Sequence, residues 1–169
     1  EEELEIACEK WNPLSATAVV MDPMTGEVLA MANSPTFDPN HFKKYPPSAR
    51  RNLAITDSYE PGSLMKPIVV SGAFEHGLAK PDEVIPCEHG DAVIEGRRLS
   101  DTHEHGNLTI SDIIAQSSNI GMAKVGLRMG NERMYRYLKQ FNFGAKTGIE
   151  LPGETGGVFH PLKQWSKRY

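Results

Sequence analysis

Ser63-Leu64-Met65-Lys66 sets a hydroxyl and an amine three residues apart. On a helix that spacing puts both on one face, one turn from each other. A serine hydroxyl is a weak nucleophile and needs a base. A lysine desolvated on the same face gives up its charge, and a neutral amine can take the serine proton. In a first helical turn the backbone N–H groups are unpartnered and the positive end of the helix dipole lies nearby, so the Ser63 N–H is an oxyanion-hole candidate. Farther along, Ser117-Ser118-Asn119 offers a second hydroxyl to relay a proton. Its carboxamide has both a donor and an acceptor for a substrate amide. Alone, each triplet has an ordinary reading. The first is a surface Ser and Lys at a helix start, the second a helix-to-helix turn.

Lys146-Thr147-Gly148 is a third triplet of catalytic type, but its surroundings read as a turn-rich surface loop. Only Ile149, Glu150 and Leu151 follow before Pro152-Gly153, which would end any strand ladder. Cys87, His89, His103 and His105 form C-x-H … H-x-H, a conceivable zinc set. The spacing matches no strong signature, so the expectation is solvated loop residues and no metal. Met122, Val125 and Met129, with Met134, Tyr135 and Leu138, read as core packing.

These residues need elements to hold them. Leu4, Ala7, Cys8 and Trp11 mark a short amphipathic helix that Asn12-Pro13 ends. Ser15 to Met21, the turn Asp22 to Gly26, and Glu27 to Ala32 predict a hairpin. Polar, proline-rich loops run from Asn33 to about Pro47. A helix is expected from about Ser63 to Gly77, with Ile68, Val69, Ala73 and Phe74 buried and Pro67 tolerated in its first turn. Residues 78 to 108 read as loop with one strand candidate at Ala92 to Glu95. Thr109-Ile110-Ser111-Asp112 has the form of a capping box. The helix it starts breaks at Ser117-Ser118-Asn119, resumes to Gly130, and is followed by another from Asn131 to about Phe141. The tail from Gly144 is turn-rich.

Composition narrows the functional classes. The 169 residues carry a formal charge of −4, with 39% hydrophobic and 24% charged residues, as in an ordinary globular chain. No basic stripe exists to neutralise phosphates, so nucleic acid is not an expected partner. Apolar runs such as Ala16 to Met21 are too short to cross a bilayer. No signal peptide or anchor is visible at Glu1-Glu2-Glu3, and one is expected to have been removed or to lie outside these residues. Two cysteines, Cys8 and Cys87, leave the redox compartment and a single bridge open.

Taken together, longer stretches carry a resemblance that the triplets alone do not. They are Ala18 through Ala32 (A-V-V-M-D-P-M-T-G-E-V-L-A-M-A), Pro35 through Asn40, and Arg51 through Ser63 (R-N-L-A-I-T-D-S-Y-E-P-G-S). Gln116 through Gly121 (Q-S-S-N-I-G) and Phe143 through Glu154 (F-G-A-K-T-G-I-E-L-P-G-E) complete the set. The chain resembles the transpeptidase domain of class B penicillin-binding proteins, the monofunctional enzymes that cross-link peptidoglycan.

The resemblance implies an α/β fold of the α+β type: an antiparallel sheet flanked by helices, beside a mostly helical subdomain. It implies that residues 1–169 are the N-terminal part of that domain. The catalytic K-T-G would lie farther downstream on a sheet strand, and Lys146-Thr147-Gly148 would belong to a separate loop motif. Ser63 would be the nucleophile, Lys66 the base, Ser117 the proton relay and Asn119 the anchor for the substrate amide. Leu64-Met65 departs from the Thr-Phe usual between Ser and Lys, which leaves the chemistry intact. Substrates would be stem peptides ending in D-Ala-D-Ala, and β-lactams would acylate the same serine, with no cofactor. Partners would include divisome or elongasome membrane proteins at the periplasmic face of the cytoplasmic membrane. Ala54-Ile55-Thr56-Asp57 leans towards division. A β-lactam sensor and a non-catalytic scaffold are the rival readings. An incomplete sheet is further expected to expose apolar surface and an unpaired strand edge.

Overall fold

The computed structural model describes residues 1–165; the last residues of the expected turn-rich tail, 166–169, lie outside the described residues. The chain forms two compact units, one built from Glu1–Tyr59 with Ala145–Gly157, the other from Glu60–Gly144 with the segment from Val158.

The first unit opens with helix α1, Glu2–Trp11, which Asn12 ends in the left-handed conformation. Strands β1 (Ala16–Met21) and β2 (Val28–Ser34) form the expected antiparallel hairpin. Asp22 organises its turn: its carboxylate accepts the N–H of Met24 at 2.7 Å, and Gly26 takes φ 76°. A bulge between Val20 and Met21 shifts the register from Val20↔Ala30 to Met21↔Val28. The hairpin leaves apolar side chains open, as expected, with Leu29 61% exposed. The loops after it fold into two 3-10 turns, Pro39–Lys44 and Pro47–Arg50, and a single helical turn α2, Leu53–Thr56. Asn33 ties β2 to α2, donating to Asn52 Oδ1 at 3.0 Å and accepting from the Ala54 N–H at 3.1 Å.

The second unit holds the core. A 3-10 turn, Gly62–Met65, leads directly into helix α3, Lys66–Glu75, with Pro67 in its first turn. The buried face is Lys66, Val70 and Ala73, at i, i+4 and i+7. Phe74 was expected on that face but is 37% exposed, because the chain buries the lysine row instead. Gly72 supplies close approach: a Cβ there would meet Met129 Cε at 2.7 Å and Tyr137 Cδ1 at 2.8 Å. Strand β3 (Val84–Pro86) follows. Next comes a hairpin of β4 (Asp91–Ile94) and β5 (Arg97–Ser100), then β6 (Asn107–Thr109), which pairs with β3. Only β4 was anticipated. The β4–β5 turn has two residues, Glu95 and Gly96, both at positive φ (50° and 80°). That geometry suits a two-residue hairpin loop, but glutamate at its first position hides the signal.

Thr109 caps helix α4, Ile110–Ala115, with the full capping box the sequence predicts: its hydroxyl accepts from the Asp112 N–H and the Asp112 carboxylate accepts from the Thr109 N–H. Helix α5, Asn119–Gln140, is interrupted by Gly130 at φ 65°, where the sequence places the break. Ile85, Ile110, Ile113, Val125 and Met129 form the buried centre of this unit. Met134 and Tyr137 pack at its margin. The result is a mixed α/β fold with helices and small antiparallel sheets. Among the described residues no helix is long and apolar enough to cross a membrane.

Candidate active site

All four catalytic candidates lie in the second unit, at the starts of α3 and α5. Ser63 sits in the 3-10 turn and is exposed. Lys66, the first residue of α3, is only 7% exposed. Burial pushes its amine below the usual lysine value, and the negative charge of Asp101 opposes that shift.

The Lys66 backbone N–H donates to the Ser63 carbonyl, but its side-chain amine does not bond to the Ser63 hydroxyl one turn away. Its Nζ donates instead to the Ser117 hydroxyl at 2.9 Å, to Asn119 Oδ1 at 2.9 Å, and to the Ser117 carbonyl. Ser117 Oγ in turn lies 3.1 Å from Ser63 Oγ. The path from amine to nucleophile is therefore Lys66–Ser117–Ser63. A hydroxyl both donates and accepts, so the same chain runs in either direction as the lysine gains or loses its proton.

The turn between α4 and α5 explains how Ser117 reaches that place. The Ser118 N–H bonds to the Ile113 carbonyl at 3.0 Å, and the Ser117 N–H to the Ile114 carbonyl at 3.1 Å. This is the paired closure of a helix C-terminus in which the first residue past the cap is left-handed, normally a glycine. Here that residue is Ser117, at φ 57°. A left-handed non-glycine residue stores about 1–2 kcal/mol of strain. In return, the serine hydroxyl turns away from both helices towards Lys66 and Ser63.

Ser118 then caps α5, accepting from the Gly121 N–H at 3.0 Å. Asn119 is held on both sides. Its Oδ1 accepts from Lys66, and its Nδ2 donates to the Ser100 carbonyl at 2.9 Å. One Nδ2 hydrogen and one Oδ1 lone pair remain for a ligand. Asp101 is the residue sequence reasoning missed. It follows β5, lies half-buried, and accepts from the Ser118 hydroxyl at 2.6 Å and from the N–H groups of Asn119 (2.5 Å) and Ile120 (3.1 Å). A lone aspartate in a loop rich in His and Glu has no spacing signal. The hairpin ahead of it, had it been read, would have aimed it at the next helix.

Other singled-out residues do not join this cluster. Glu154 closes the Lys146-Thr147-Gly148 segment, accepting the Thr147 N–H at 2.5 Å, the Thr147 hydroxyl at 2.6 Å and the Gly148 N–H at 3.3 Å. These bonds hold the Glu154 carboxyl below its usual range. The segment is a closed loop in the first unit, as its prolines and glycines suggest. The four Cys and His residues of the conceivable zinc set are not gathered. Cys87 is buried with its thiol towards the Ile85 carbonyl, and His89 faces Glu104 at 3.3 Å. The His103 and His105 rings face each other edge to face, with centroids 6.4 Å apart. Among the described residues no group of three or more His, Cys, Asp or Glu could hold a metal ion. Both cysteines are free thiols.

An accessible serine linked through a second serine to a buried lysine is an arrangement that can support acyl transfer. Residues 16–169 match the penicillin binding protein transpeptidase domain. The chain belongs to that family. It is 41% identical over 155 residues to penicillin-binding protein PbpB of Mycobacterium tuberculosis, covering 90% of this chain and 23% of that protein. It is 37% identical to the peptidoglycan D,D-transpeptidase FtsI of Escherichia coli K12, covering 90% of this chain and 26% of the relative. The crystal structure of penicillin binding protein 3 from Mycobacterium tuberculosis, complexed with ampicillin, superposes with a TM-score of 0.87 at 38% identity. That match covers 98% of this chain and 37% of the solved one. This member of the transpeptidase family thus spans about a quarter of the length of the curated relatives it matches.

Proposed function

We propose that this chain carries the acylation machinery of a peptidoglycan D,D-transpeptidase, with Ser63 as nucleophile, Lys66 as base, Ser117 as relay and Asn119 as anchor of the substrate amide. The observation that carries this reading is the Lys66–Ser117–Ser63 hydrogen-bond chain, with the base buried and the nucleophile open.

With Lys66 neutral, Ser63 donates to Ser117 Oγ and Ser117 donates to Lys66 Nζ. Ser63 Oγ attacks the carbonyl carbon of the penultimate D-alanine of a stem peptide. One proton moves along each link, and Lys66 becomes an ammonium. Collapse of the tetrahedral intermediate breaks the C–N bond, and the proton returns through Ser117 to the departing D-alanine amine. The amine of a neighbouring stem peptide then attacks the ester, its proton leaves by the same path, and Ser63 is regenerated as the cross-link forms. The second Nδ2 hydrogen of Asn119 binds an amide carbonyl of the donor peptide. A β-lactam is attacked in the same way, but its leaving nitrogen stays tethered in the opened molecule, so the acyl-enzyme keeps the whole drug.

Residues 1–169 are, on this reading, the N-terminal part of the transpeptidase domain, completed by a downstream strand with its own Lys-Thr-Gly. The whole protein works at the periplasmic face of the cytoplasmic membrane with membrane proteins of the division or elongation machinery. The test is intact mass after exposure of the full natural chain to a penicillin. One whole-drug adduct on Ser63, absent in Ser63→Ala, is expected. No adduct on the folded protein would overturn the reading. Transfer of an acyl donor to an added D-amino acid separates a transpeptidase from a β-lactam sensor.

A further inference from the structure

We propose that Asp101, delivered by the β4–β5 hairpin, is the positioning residue of this active site. It clamps the start of α5, so that Ser117 and Asn119 meet Lys66 in one fixed geometry. The inference deepens the proposed function and rests on it.

Three donors converge on the two carboxylate oxygens of Asp101. The Ser118 hydroxyl binds Oδ2, while the Asn119 and Ile120 N–H groups bind Oδ1. Ser118 is fully buried, so its hydroxyl has no exchange with water to fall back on. A carboxylate at a helix start is favoured by the helix dipole as well as by the individual bonds. The hairpin is itself anchored, since the Asp101 N–H donates to the Gly90 carbonyl at 3.0 Å. The neighbouring Ser100 carbonyl takes the Asn119 side chain at 2.9 Å. Two consecutive residues of the hairpin end thus set both the backbone and the amide orientation of Asn119. They flank, on the α5 side, the strained Ser117 that must be kept left-handed. Strain of this kind persists only where the surroundings over-determine it.

Asp101 also acts on the base at a distance. The groups in contact with Lys66 are the hydroxyl and carbonyl of Ser117 and the carboxamide of Asn119, all uncharged. Asp101 supplies the opposing charge. The two roles have separate signatures. Loss of the clamp lowers the limiting acylation rate. Loss of the charge lets the Lys66 amine deprotonate at lower pH, moving the acidic limb of the pH–rate profile down. A residue that merely supports the fold would lower the folded fraction and leave that limb in place.

The experiment is the rate of acylation by a fluorescent penicillin, per folded molecule, from pH 5 to 10 in the full natural chain. Asp101→Asn is expected to acylate roughly 10- to 100-fold more slowly at its plateau, with the acidic limb at lower pH. Asp101→Glu, which keeps the charge, is expected to return the limb to its wild-type position. A wild-type plateau and limb in Asp101→Asn would overturn the proposal. So would a slow Asp101→Asn with an unmoved limb that Asp101→Glu fails to improve. If Asp101→Asn does not fold, Ser118→Ala decides: it loosens the same clamp, and an undiminished plateau would overturn the proposal. Failure of the wild type itself to label at Ser63 strikes the proposed function instead, and is read from the same plate.

Discussion

Lys66 reaches past its sequence neighbour Ser63 and bonds to Ser117, 2.9 Å away, on the far side of the site. The S-x-x-K spacing thus sets the Lys66 amine one turn from the Ser63 hydroxyl without a hydrogen bond between them. The second hydroxyl is the link that couples them.

The pH dependence follows from this base. Burial lowers the Lys66 amine below 10.5, so its neutral form appears earlier in a pH titration than that of a free lysine. Acylation should rise with pH through that lowered value and then level. Lys66→Met should lose about 10²–10⁴-fold in rate and flatten the profile. The stability sign runs the same way. Between the lowered pKa and 10.5 the unfolded chain holds a proton that the folded chain has released, so stability rises with pH across that window. A folded Lys66→Met that acylates at wild-type speed would refute the assignment.

Ser117→Gly separates folding from chemistry. The change removes strain of about 1–2 kcal/mol at φ 57° and forfeits the hydroxyl bonds to Lys66 and Ser63. The Lys66 bond to the carbonyl of residue 117 survives. The melting temperature should hold or rise while penicillin labelling falls by about 10²–10⁴-fold. Thermal denaturation and labelling on one sample check both halves, and a large loss of stability would contradict the strain argument.

Gly121 has no room for a side chain. A Cβ there would lie 2.6 Å from Ile113 Cδ1 and Cγ1 and 3.1 Å from Cys87 Sγ. These are core neighbours with little freedom, so Gly121→Ala should destabilise by about 1–3 kcal/mol. Because the same turn of α5 carries Asn119, labelling should slow as well. Chemical denaturation gives the first number, and a midpoint equal to wild type would show that α5 can shift.

Glu154→Ala tests the loop. It removes the acceptor that binds Thr147 and Gly148. Trypsin should then cut faster after Lys146. Acid should loosen the wild-type loop in the same way: the lowered carboxyl contributes above its unfolded value near 4.5 and ceases to as pH falls through the folded value. Equal cleavage rates in the two proteins at neutral pH would dismiss the bonds as incidental.

Much of this was legible in the sequence where one residue type does one job. Thr109 and Asp112 announced a capping box, Gly130 a helix break, and Asp22 to Gly26 a hairpin turn. The site motifs were legible as types and spacings. What stayed hidden depends on distance through space. Asp101 touches α5 only because a hairpin with an unusual Glu95-Gly96 turn folds back. Periodicity counts apolar residues and so places Phe74 on the buried stripe of α3, whereas this helix buries Lys66.

The left-handed Ser117 also bears on how such a chain would age. Folding favours glycine at that position, and on the proposed function only the proton relay asks for serine. In a lineage released from cell-wall chemistry, residue 117 is where drift should first relax towards glycine or asparagine, with the helices around it unchanged. Its identity in a related sequence therefore separates working copies from relics better than the preservation of the fold does.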